Sequence, residues 1–302
     1  MLRRDLLRIG GLGAVGACVS GASLARERGV ARLVAAQPTI EGAGVKLRRA
    51  LGSQQLSVVD PFLLLDEIHS ANPDDYLAGF PTHPHRGFET VTYMLHGSME
   101  HRDSLGNHGL LGPGSAQWMT AGHGIVHSEM PSRAPDAGLL WGFQLWVNLP
   151  GARKLVRPRY QDIPAARIPE FAAGDAQVRL VTGSLRGHDG PVLGIDTAPL
   201  MLDVRVPPGG RFSEAVYGDG FAYVFEGAVQ LGETRIKASE LAVLGPGERV
   251  TVGSRAGGRL LLLAARPLGE PVARYGPFVM NTRAELQQAV DDYRAGTLDR
   301  LP

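Results

Sequence analysis

Histidines are concentrated in one part of the chain, where their spacing suits metal binding. Seven of the nine histidines lie between His83 and His127. His83 and His85 are two positions apart in THPHRGFETVTYMLHG, and residues i and i+2 of a β-strand point to the same face. His127 and Glu129 repeat that spacing in GIVHSEM. Two such pairs, on strands of one barrel, would bring three imidazoles and one carboxylate to a single ion.

This donor set suits one divalent metal ion. Imidazole and carboxylate bind Fe(II), and also Mn, Ni, Cu, Zn or Co. A four-ligand set leaves coordination positions open for water, O₂ or a chelating substrate, as a catalytic metal site requires. An isolated His-x-His pair is common, and a surface or hydrogen-bonding role would explain it. The second pair is what makes the pattern a prediction of a site.

The elements that position these residues are predicted to be strands. Short apolar runs bounded by Gly, Pro, Asn or Asp follow one another from Ile40 onward. The 40 glycines and 21 prolines also suit an all-β protein with many short connections. The clearest helix is expected near the C-terminus, where Thr282 and Glu285 form a capping box ahead of an apolar face.

The strands fall into two sets of similar size, which predicts two tandem β-barrels. One set covers about 40–149 and the other about 178–265. Between them, LPGARKLVRPRYQDIPAARIPE carries four prolines and several charges and is typical of a linker. Gly-Pro-Gly occurs at 112–114 and at 245–247, which suggests matching places in two copies of one unit. Only one histidine lies in the second set, so a histidine site belongs to the first.

The first 25 residues predict an export signal. Arg3 and Arg4 precede a Gly/Ala-rich apolar stretch, and the small residues Ser23 and Ala25 form an A-x-A-like cleavage pattern. The adjacent arginines resemble the twin-arginine type, which predicts export to the bacterial periplasm. The apolar part is too short and too rich in glycine for a membrane span, so no transmembrane helix is expected in the mature chain.

Charge and cysteine content exclude several classes of protein. The formal charge is +1, so no global basic field points to nucleic acid. Cys18 is the one cysteine, which excludes an internal disulfide, a zinc–thiolate cluster and a cysteine nucleophile from the folded body. Its surroundings, VGAC, weakly resemble a lipobox. Two roles for Cys18 follow. The favoured one is a small apolar residue in the core of the signal, and the less favoured one is the attachment point of a lipid anchor.

Four stretches of the chain resemble the pirin family of the cupin superfamily: HPHRGFETVTY, GPGSAQWMTAGHGIVHSEM, GFQLWVNLP and YGPFVMNT. The similarity extends over nearly the whole chain after the signal. It implies an all-β fold of two tandem cupin domains, which are jelly-roll-type barrels, with a few short helices. The metal-binding cupin would cover 38–165, and a cupin without ligands would cover 172–302. The resemblance also implies a metal, usually iron, held by His83, His85, His127 and Glu129.

Glu89 is a rival to Glu129 as the carboxylate ligand. The general cupin pattern H-x-H-x₃-E fits His83, His85 and Glu89. In pirins the equivalent glutamate is present, but the ligand comes from the H-x-E of the second motif. We therefore predict that Glu129 binds the metal and that Glu89 has a supporting or structural role.

Other residues near these motifs are first expected to have ordinary roles. His96, His101, His108 and His123 are candidates for supporting the ligands or forming pocket walls, and for each an ordinary polar role is favoured over ligation. Arg86 and Gln144 are candidates for orienting a substrate, with packing or surface roles as the alternative. Asp103, Ser104, Gly106 and Asn107 are expected to form a turn, with Asn107 as a candidate hydrogen-bond donor near the mouth. Trp118, Trp141 and Trp146 are expected in the core, with an aromatic platform for a flat substrate as the less favoured alternative.

The resemblance implies two kinds of function. Some pirins resemble quercetin 2,3-dioxygenases, in which the metal binds a deprotonated flavonol and O₂ opens the heterocycle. Glu129 would then be the base that accepts the flavonol proton as well as a ligand. Other pirins are iron-dependent partners of transcription factors or metabolic enzymes, and an exported protein cannot meet a cytosolic transcription complex. The favoured hypothesis is a dioxygenase with an aromatic small-molecule substrate and O₂. The alternative is a non-catalytic iron-binding protein with an unknown protein partner.

Overall fold

A computed structural model describes residues 25–132 and 138–300. The predicted export segment, including Cys18, lies outside the described residues apart from Ala25. Strands dominate, and one α-helix, α1 (Arg283–Arg294), is present in the described ranges. Its capping box between Thr282 and Glu285 confirms the predicted helix start. No helix within these ranges combines the length and apolarity that crossing a membrane requires.

The first half of the described chain forms twelve strands. In chain order these are β1 (Val30–Ala35), β2 (Gln37–Glu41), β3 (Val45–Leu51), β4 (Phe62–Ser70), β5 (Phe80–His85), β6 (Phe88–His96), β7 (Ser98–Asp103), β8 (His108–Leu111), β9 (Ala116–Thr120), β10 (Ile125–Ser132), β11 (Leu140–Asn148) and β12 (Arg159–Ile163). Short 3₁₀ helices lie at Pro73–Asp75, Gly151–Arg153 and Ala165–Arg167.

The first barrel consists of two antiparallel sheets. The larger has the order β12-β9-β6-β11-β4-β3-β2, and the smaller has the order β5-β10-β7-β8. Apolar side chains from both sheets, including Ile68, Met94 and Met99, pack together inside one end of the barrel. Polar side chains such as Thr92 and Gln117 continue the same inward face along β6 and β9. The interior of this barrel is therefore polar around its middle.

The second half forms the remaining strands. These are β13 (Glu170–Ala173), β14 (Ala176–Thr182), β15 (Ser184–Leu185), β16 (His188–Asp189), β17 (Leu200–Val206), β18 (Arg211–Ala215), β19 (Asp219–Leu231), β20 (Thr234–Lys237), β21 (Glu240–Leu244), β22 (Arg249–Gly253), β23 (Gly258–Ala265), β24 (Ala273–Tyr275) and β25 (Phe278–Met280).

The second barrel has an apolar interior where the first is polar. Strands β18 and β22 pair as β5 and β10 do, and Phe212 lies opposite Val252 in that register. These residues and Val250 are completely buried in the barrel's own core. Among the residues that the structure describes, groups of His, Cys, Asp or Glu suited to a metal occur only in the first barrel.

The two barrels repeat the same order of strands, but the two Gly-Pro-Gly sequences do not occupy matching places in them. Gly97, between β6 and β7, and Gly227, within β19, both have positive φ, at 73° and 64°. The Gly-Pro-Gly at 112–114 precedes β9, whereas that at 245–247 follows β21, the counterpart of β9.

The predicted linker between the two barrels contains a strand, β12, which pairs with β9 as the edge strand of the first barrel.

The N-terminal strand packs on the second barrel, and the C-terminal residues pack on the first. Strand β1 pairs with β21 and so extends the sheet of the second barrel. Residues 273–300, here called the C-terminal arm, contact the first barrel instead: Phe278 bridges to Arg86, and the arm's apolar residues pack with Val126 of β10. Each barrel is therefore completed by chain from the other end of the sequence.

A shared hydrophobic core joins the barrels face to face. The outward face of β6, β9 and β11 contributes Trp118 and Phe143, and the second barrel contributes Phe221 and Leu261. The predicted core positions of Trp118 and Trp141 are confirmed, since both side chains are buried in this layer. The third tryptophan, on the inward face, is only half-buried.

Candidate metal centre

Two neighbouring strands bring the histidines of the two motifs together. Strands β5 and β10 are antiparallel, and His83 lies directly opposite His127 in their register. His85 and Glu129 lie two residues further along their own strands, on the same inward faces. The ladder is irregular between His127 and Glu129. The two i, i+2 pairs therefore both face the interior of the first barrel, as their spacing predicted.

The ring nitrogens of His83 and His85 face one another. Their Nε2 atoms are 3.1 Å apart. The Nδ1 atom of His83 lies 2.8 Å from the carbonyl oxygen of Pro81, and that of His85 lies 3.2 Å from the carbonyl oxygen of Pro277. A carbonyl only accepts, so both Nδ1 atoms carry a proton, and each ring in its neutral form presents a lone pair at Nε2. Two lone pairs at this separation repel unless a cation lies between them.

His127 completes a triangle of nitrogen donors. One ring nitrogen from each of His83, His85 and His127 lies within 4.8 Å of the others. The Nε2 atom of His127 is buried without a hydrogen-bond partner. Burial, reinforced by the neighbouring imidazoles, holds the pKa values of His85 and His127 well below their usual range. Both rings are therefore neutral at pH 7, which is the form that binds metal.

Glu129 is a buried carboxylate that is held by neutral groups. Thr92 Oγ1 donates to its Oε1 over 2.8 Å, Gln144 Nε2 donates to its Oε2 over 2.8 Å, and Gln117 lies 3.4 Å from Oε1. Within residues 25–132 and 138–300, no Lys, Arg or His nitrogen lies in ion-pair distance of this carboxylate. A buried charge without a partner is costly. A divalent cation among these donors would remove both the lone-pair repulsion and the unpaired charge, so the residues fit a metal.

His101 belongs to the cluster, although its sequence context indicated an ordinary polar role. It is completely buried, and one of its nitrogens lies within 4.8 Å of donor atoms of His127 and Glu129. Its Nε2 is 3.2 Å from Asp103, and its Nδ1 is 3.2 Å from the amide nitrogen of Gln117. The signal that was available is the i, i+2 spacing of His101 and Asp103 on β7.

Glu89 lies away from the histidines. Its Oε1 accepts a hydrogen bond of 2.6 Å from Thr120 Oγ1. Glu89 and Thr92 are three residues apart on β6, so they point to opposite faces of the sheet. Thr92 contacts Glu129 inside the barrel, whereas Glu89 points toward the layer between the barrels, beside Trp118. The cupin spacing that made Glu89 a rival ligand does not bring it to the centre.

The other predicted polar residues separate into three groups. Gln144 contacts the centre, through Glu129. Arg86 is buried and pairs with Asp292 of α1 over 2.6 Å, so it packs the arm rather than lining the centre. The remaining histidines, His96, His108 and His123, lie outside the centre. The predicted turn after β7 is present. In it, the backbone N–H and the side-chain amide of Asn107 both donate to the carboxylate of Asp103.

Trp146 lines the centre instead of filling a closed core. Its ring lies 5.3 Å from that of His85 and 4.4 Å from that of Phe88, measured between centroids. The guanidinium of Arg274 lies 4.5 Å over the same ring. Trp146 is half-buried, as are His83 and Gln144, whereas the other proposed ligands are buried. The accessible side of the centre therefore faces these three residues.

Comparisons with known proteins agree with this architecture. The family model described as Pirin matches residues 44–147, and the model described as the Pirin C-terminal cupin domain matches residues 201–299. A Pseudomonas aeruginosa protein, provisionally named a quercetin 2,3-dioxygenase, is 46% identical over 286 residues, which cover 91% of this chain and 99% of its own. A pirin-like protein of Caulobacter vibrioides is 48% identical over 273 residues, or 89% and 98% of the two chains.

A solved structure shows the same fold over nearly the whole chain. Quercetin 2,3-dioxygenase from Acinetobacter baumannii superposes with a TM-score of 0.83 at 31% sequence identity. The superposition covers 90% of this chain and 98% of the other. The prediction of two tandem cupin barrels is confirmed by this match together with the two family models.

Proposed function

The chain belongs to the pirin family, and on that premise we propose that it is a metal-dependent dioxygenase acting on a flavonol such as quercetin or a related enediol or phenolic compound. The observation that carries the proposal is the buried cluster of facing imidazole lone pairs and an unpaired carboxylate. Support also comes from the similarity to the Acinetobacter baumannii quercetin 2,3-dioxygenase, at 31% identity over 90% of the chain. Such a cluster is expensive to maintain without a cation and a function.

In this proposal His83, His85, His127 and Glu129 hold one divalent ion, with Fe(II) foremost and Mn, Ni, Cu, Zn or Co as alternatives. When bound, the ion would supply a Lewis-acidic, redox-active point at which an acidic hydroxyl compound and O₂ can meet. The backbone carbonyls of Pro81 and Pro277 keep the Nε2 lone pairs of His83 and His85 directed inward. This orientation by groups behind the ligand is typical of histidine metal sites.

Glu129 is the proposed catalytic base. A carboxylate oxygen at the accessible side of the centre would take the proton from a substrate hydroxyl. Oε2 is the better placed oxygen, because it is held by Gln144, a half-buried residue, whereas Oε1 is held by the buried Thr92. Gln144 and Thr92 therefore fix the orientation of the base, and Gln144 lies where a substrate would enter.

The test is oxygen uptake with a flavonol. Protein reconstituted anaerobically with Fe(II) or Mn(II) is mixed with quercetin, and O₂ consumption is recorded together with the flavonol absorbance. The proposal expects both to fall in parallel, and it expects Glu89→Gln to retain this activity while Glu129→Gln loses it. Metal-loaded protein that consumes no O₂ with flavonols would instead favour the alternative, a non-catalytic iron-binding protein with a protein partner.

The proposed location is the periplasm. The twin-arginine-type segment at residues 1–25 supports export, and export favours a small-molecule substrate over a cytosolic protein partner. Fractionation of cells that produce the wild type or the Arg3→Lys, Arg4→Lys double variant tests this. The wild type is expected in the periplasm and the variant in the cytoplasm; cytoplasmic wild type would contradict the proposal.

A further inference from the structure

The C-terminal arm contacts the residues that immediately follow the His-x-His pair. The carbonyl oxygen of Pro277 lies 3.2 Å from His85 Nδ1, although the two residues are 192 positions apart. The backbone N–H of Val279 donates to the carbonyl of Arg86 over 3.1 Å. Arg86 Nη1 pairs with Asp292 of α1 over 2.6 Å. Three successive contacts thus join the arm to the turn that positions His85.

A buried ammonium adds a fourth contact. Lys154 is 1% exposed, and its Nζ donates to the carbonyls of Gly87 and Val279 over 2.8 and 3.0 Å and to Asn148 Oδ1 over 2.7 Å. Its three protons therefore have three acceptors, two on the first barrel and one on the arm. If the arm moved away, this buried ammonium would lose an acceptor, which is costly.

Gly87 permits the close approach of the arm. Its φ is +87°, a conformation that L-residues with side chains rarely adopt. A Cβ built at Gly87 would lie 2.0 Å from the carbonyl oxygen of Val279. The arm and the turn after His85 are therefore fitted to each other at the level of the backbone.

The arm also contacts the wall beside His85. Arg274, within the arm, lies over the ring of Trp146, whose other neighbours are the rings of His85 and Phe88. The orientation of His85 thus depends on the arm both through its Nδ1 and through the ring that packs beside it. Within the first barrel itself, the described residues offer His85 Nδ1 no hydrogen-bond acceptor.

We propose that docking of the C-terminal arm and metal binding at the candidate centre are energetically coupled, a proposal that rests on the metal centre but not on dioxygenase turnover. The arm holds His85 in the tautomer and orientation that present Nε2 to the ion. By linkage, an ion bound at the centre secures the arm to the same degree. The arm is therefore a positioning element for a site in the other half of the chain.

The test weakens the arm contact without touching a ligand. Asp292→Asn removes the charge that pairs with Arg86. Asp291→Asn is the matched control, because Asp291 is on the same helix and accepts from Gln287 as Asp292 accepts from Gln288, without contacting Arg86. Co(II) is titrated into each apo protein and followed by absorbance. Hydrogen exchange of residues 273–300 is measured with and without Co(II).

The proposal expects Asp292→Asn to bind Co(II) roughly five- to tenfold more weakly than the wild type, and Asp291→Asn to bind as the wild type does. In the wild type, Co(II) should slow exchange at Val279 and its neighbours, and the slowing should be smaller in Asp292→Asn. The proposal would be overturned if the wild type and Asp292→Asn bound Co(II) with equal affinity and Co(II) did not change hydrogen exchange in the arm. Failure of the wild type to bind Co(II) would overturn it together with the metal centre, whereas binding without quercetin turnover would overturn only the proposed reaction.

Discussion

Glu89 and Glu129 are both buried carboxylates of the first barrel, but Glu129, on β10 of the smaller sheet, points into the interior, whereas Glu89, on β6 of the larger sheet, points outward toward the second barrel. Glu129 accepts from Thr92 inside the barrel, and Glu89 accepts from Thr120 on the face toward the second barrel. We therefore expect Glu129→Gln to lower the affinity for Co(II) or Fe(II) by more than tenfold, since it removes a proposed ligand. Glu89→Gln should leave the metal content of the purified protein unchanged. The opposite pattern in metal analysis of the two variants would contradict the assignment.

Burial of Glu89 gives a predictable dependence of stability on pH. Desolvation raises the pKa of Glu89 from 4.5 to about 7. The folded state then keeps a proton that the unfolded state releases, so this group lowers the free energy of unfolding as the pH rises from about 4.5 to about 7. Glu89→Gln abolishes that contribution. Its stability relative to the wild type should increase across this window by up to about 3 kcal/mol and then level off. Urea unfolding at pH 5 and pH 8 measures the difference, and a constant offset would be the contrary result.

The unpaired charge of Glu129 predicts opposite effects of one substitution with and without metal. Without metal, Glu129→Gln removes a buried charge, and Gln144 can rotate its amide to offer an oxygen to the new side chain. The chelator-treated variant should therefore be at least as stable as the chelator-treated wild type. With metal at a thousandfold its Kd, the wild type should gain about 4 kcal/mol, and the variant should gain much less. Denaturant unfolding with and without EDTA tests this; equal destabilisation under both conditions would count against a cation site.

Two tyrosines join the barrels reciprocally. Tyr223 of the second barrel donates to Glu67 of the first over 2.6 Å, and Tyr93 of the first donates to Asp203 of the second over 2.7 Å. We expect Tyr223→Phe to lower the free energy of unfolding by about 1–3 kcal/mol, because the buried Glu67 loses a donor. Metal content should not change. The exposed Tyr217 supplies a control, and Tyr217→Phe should stay within about 0.5 kcal/mol of the wild type.

The centre was predictable where it depends on local geometry. Strand parity alone places His83 with His85 and His127 with Glu129. It does not say which face of β6 forms the barrel interior, because that depends on its pairing with β9 and β11. Glu89 therefore stayed a rival in the sequence and is excluded only by the register.

The residues that sequence analysis missed act over long distances along the chain. His101 joins the cluster because β7 pairs with β10, and Pro277 reaches His85 from the other half of the chain. The prolines of the predicted linker indicate a loop. Part of it nevertheless forms the edge strand β12, because its backbone pairs with β9. For Pro277 and β12, tertiary contacts that no local pattern reports decide the outcome, whereas the i, i+2 spacing of His101 and Asp103 was a local signal.

Measuring the iron content of two histidine variants is the sharpest test of the metal centre. His127→Ala removes a proposed ligand, whereas His108→Ala removes an exposed histidine that pairs with Glu100 on the outside of the barrel. Each apo protein is loaded with Fe(II) without oxygen, desalted and analysed for iron. The wild type and His108→Ala should retain about one ion per chain, and His127→Ala should retain almost none. Iron retained equally by His127→Ala and the wild type would contradict the account.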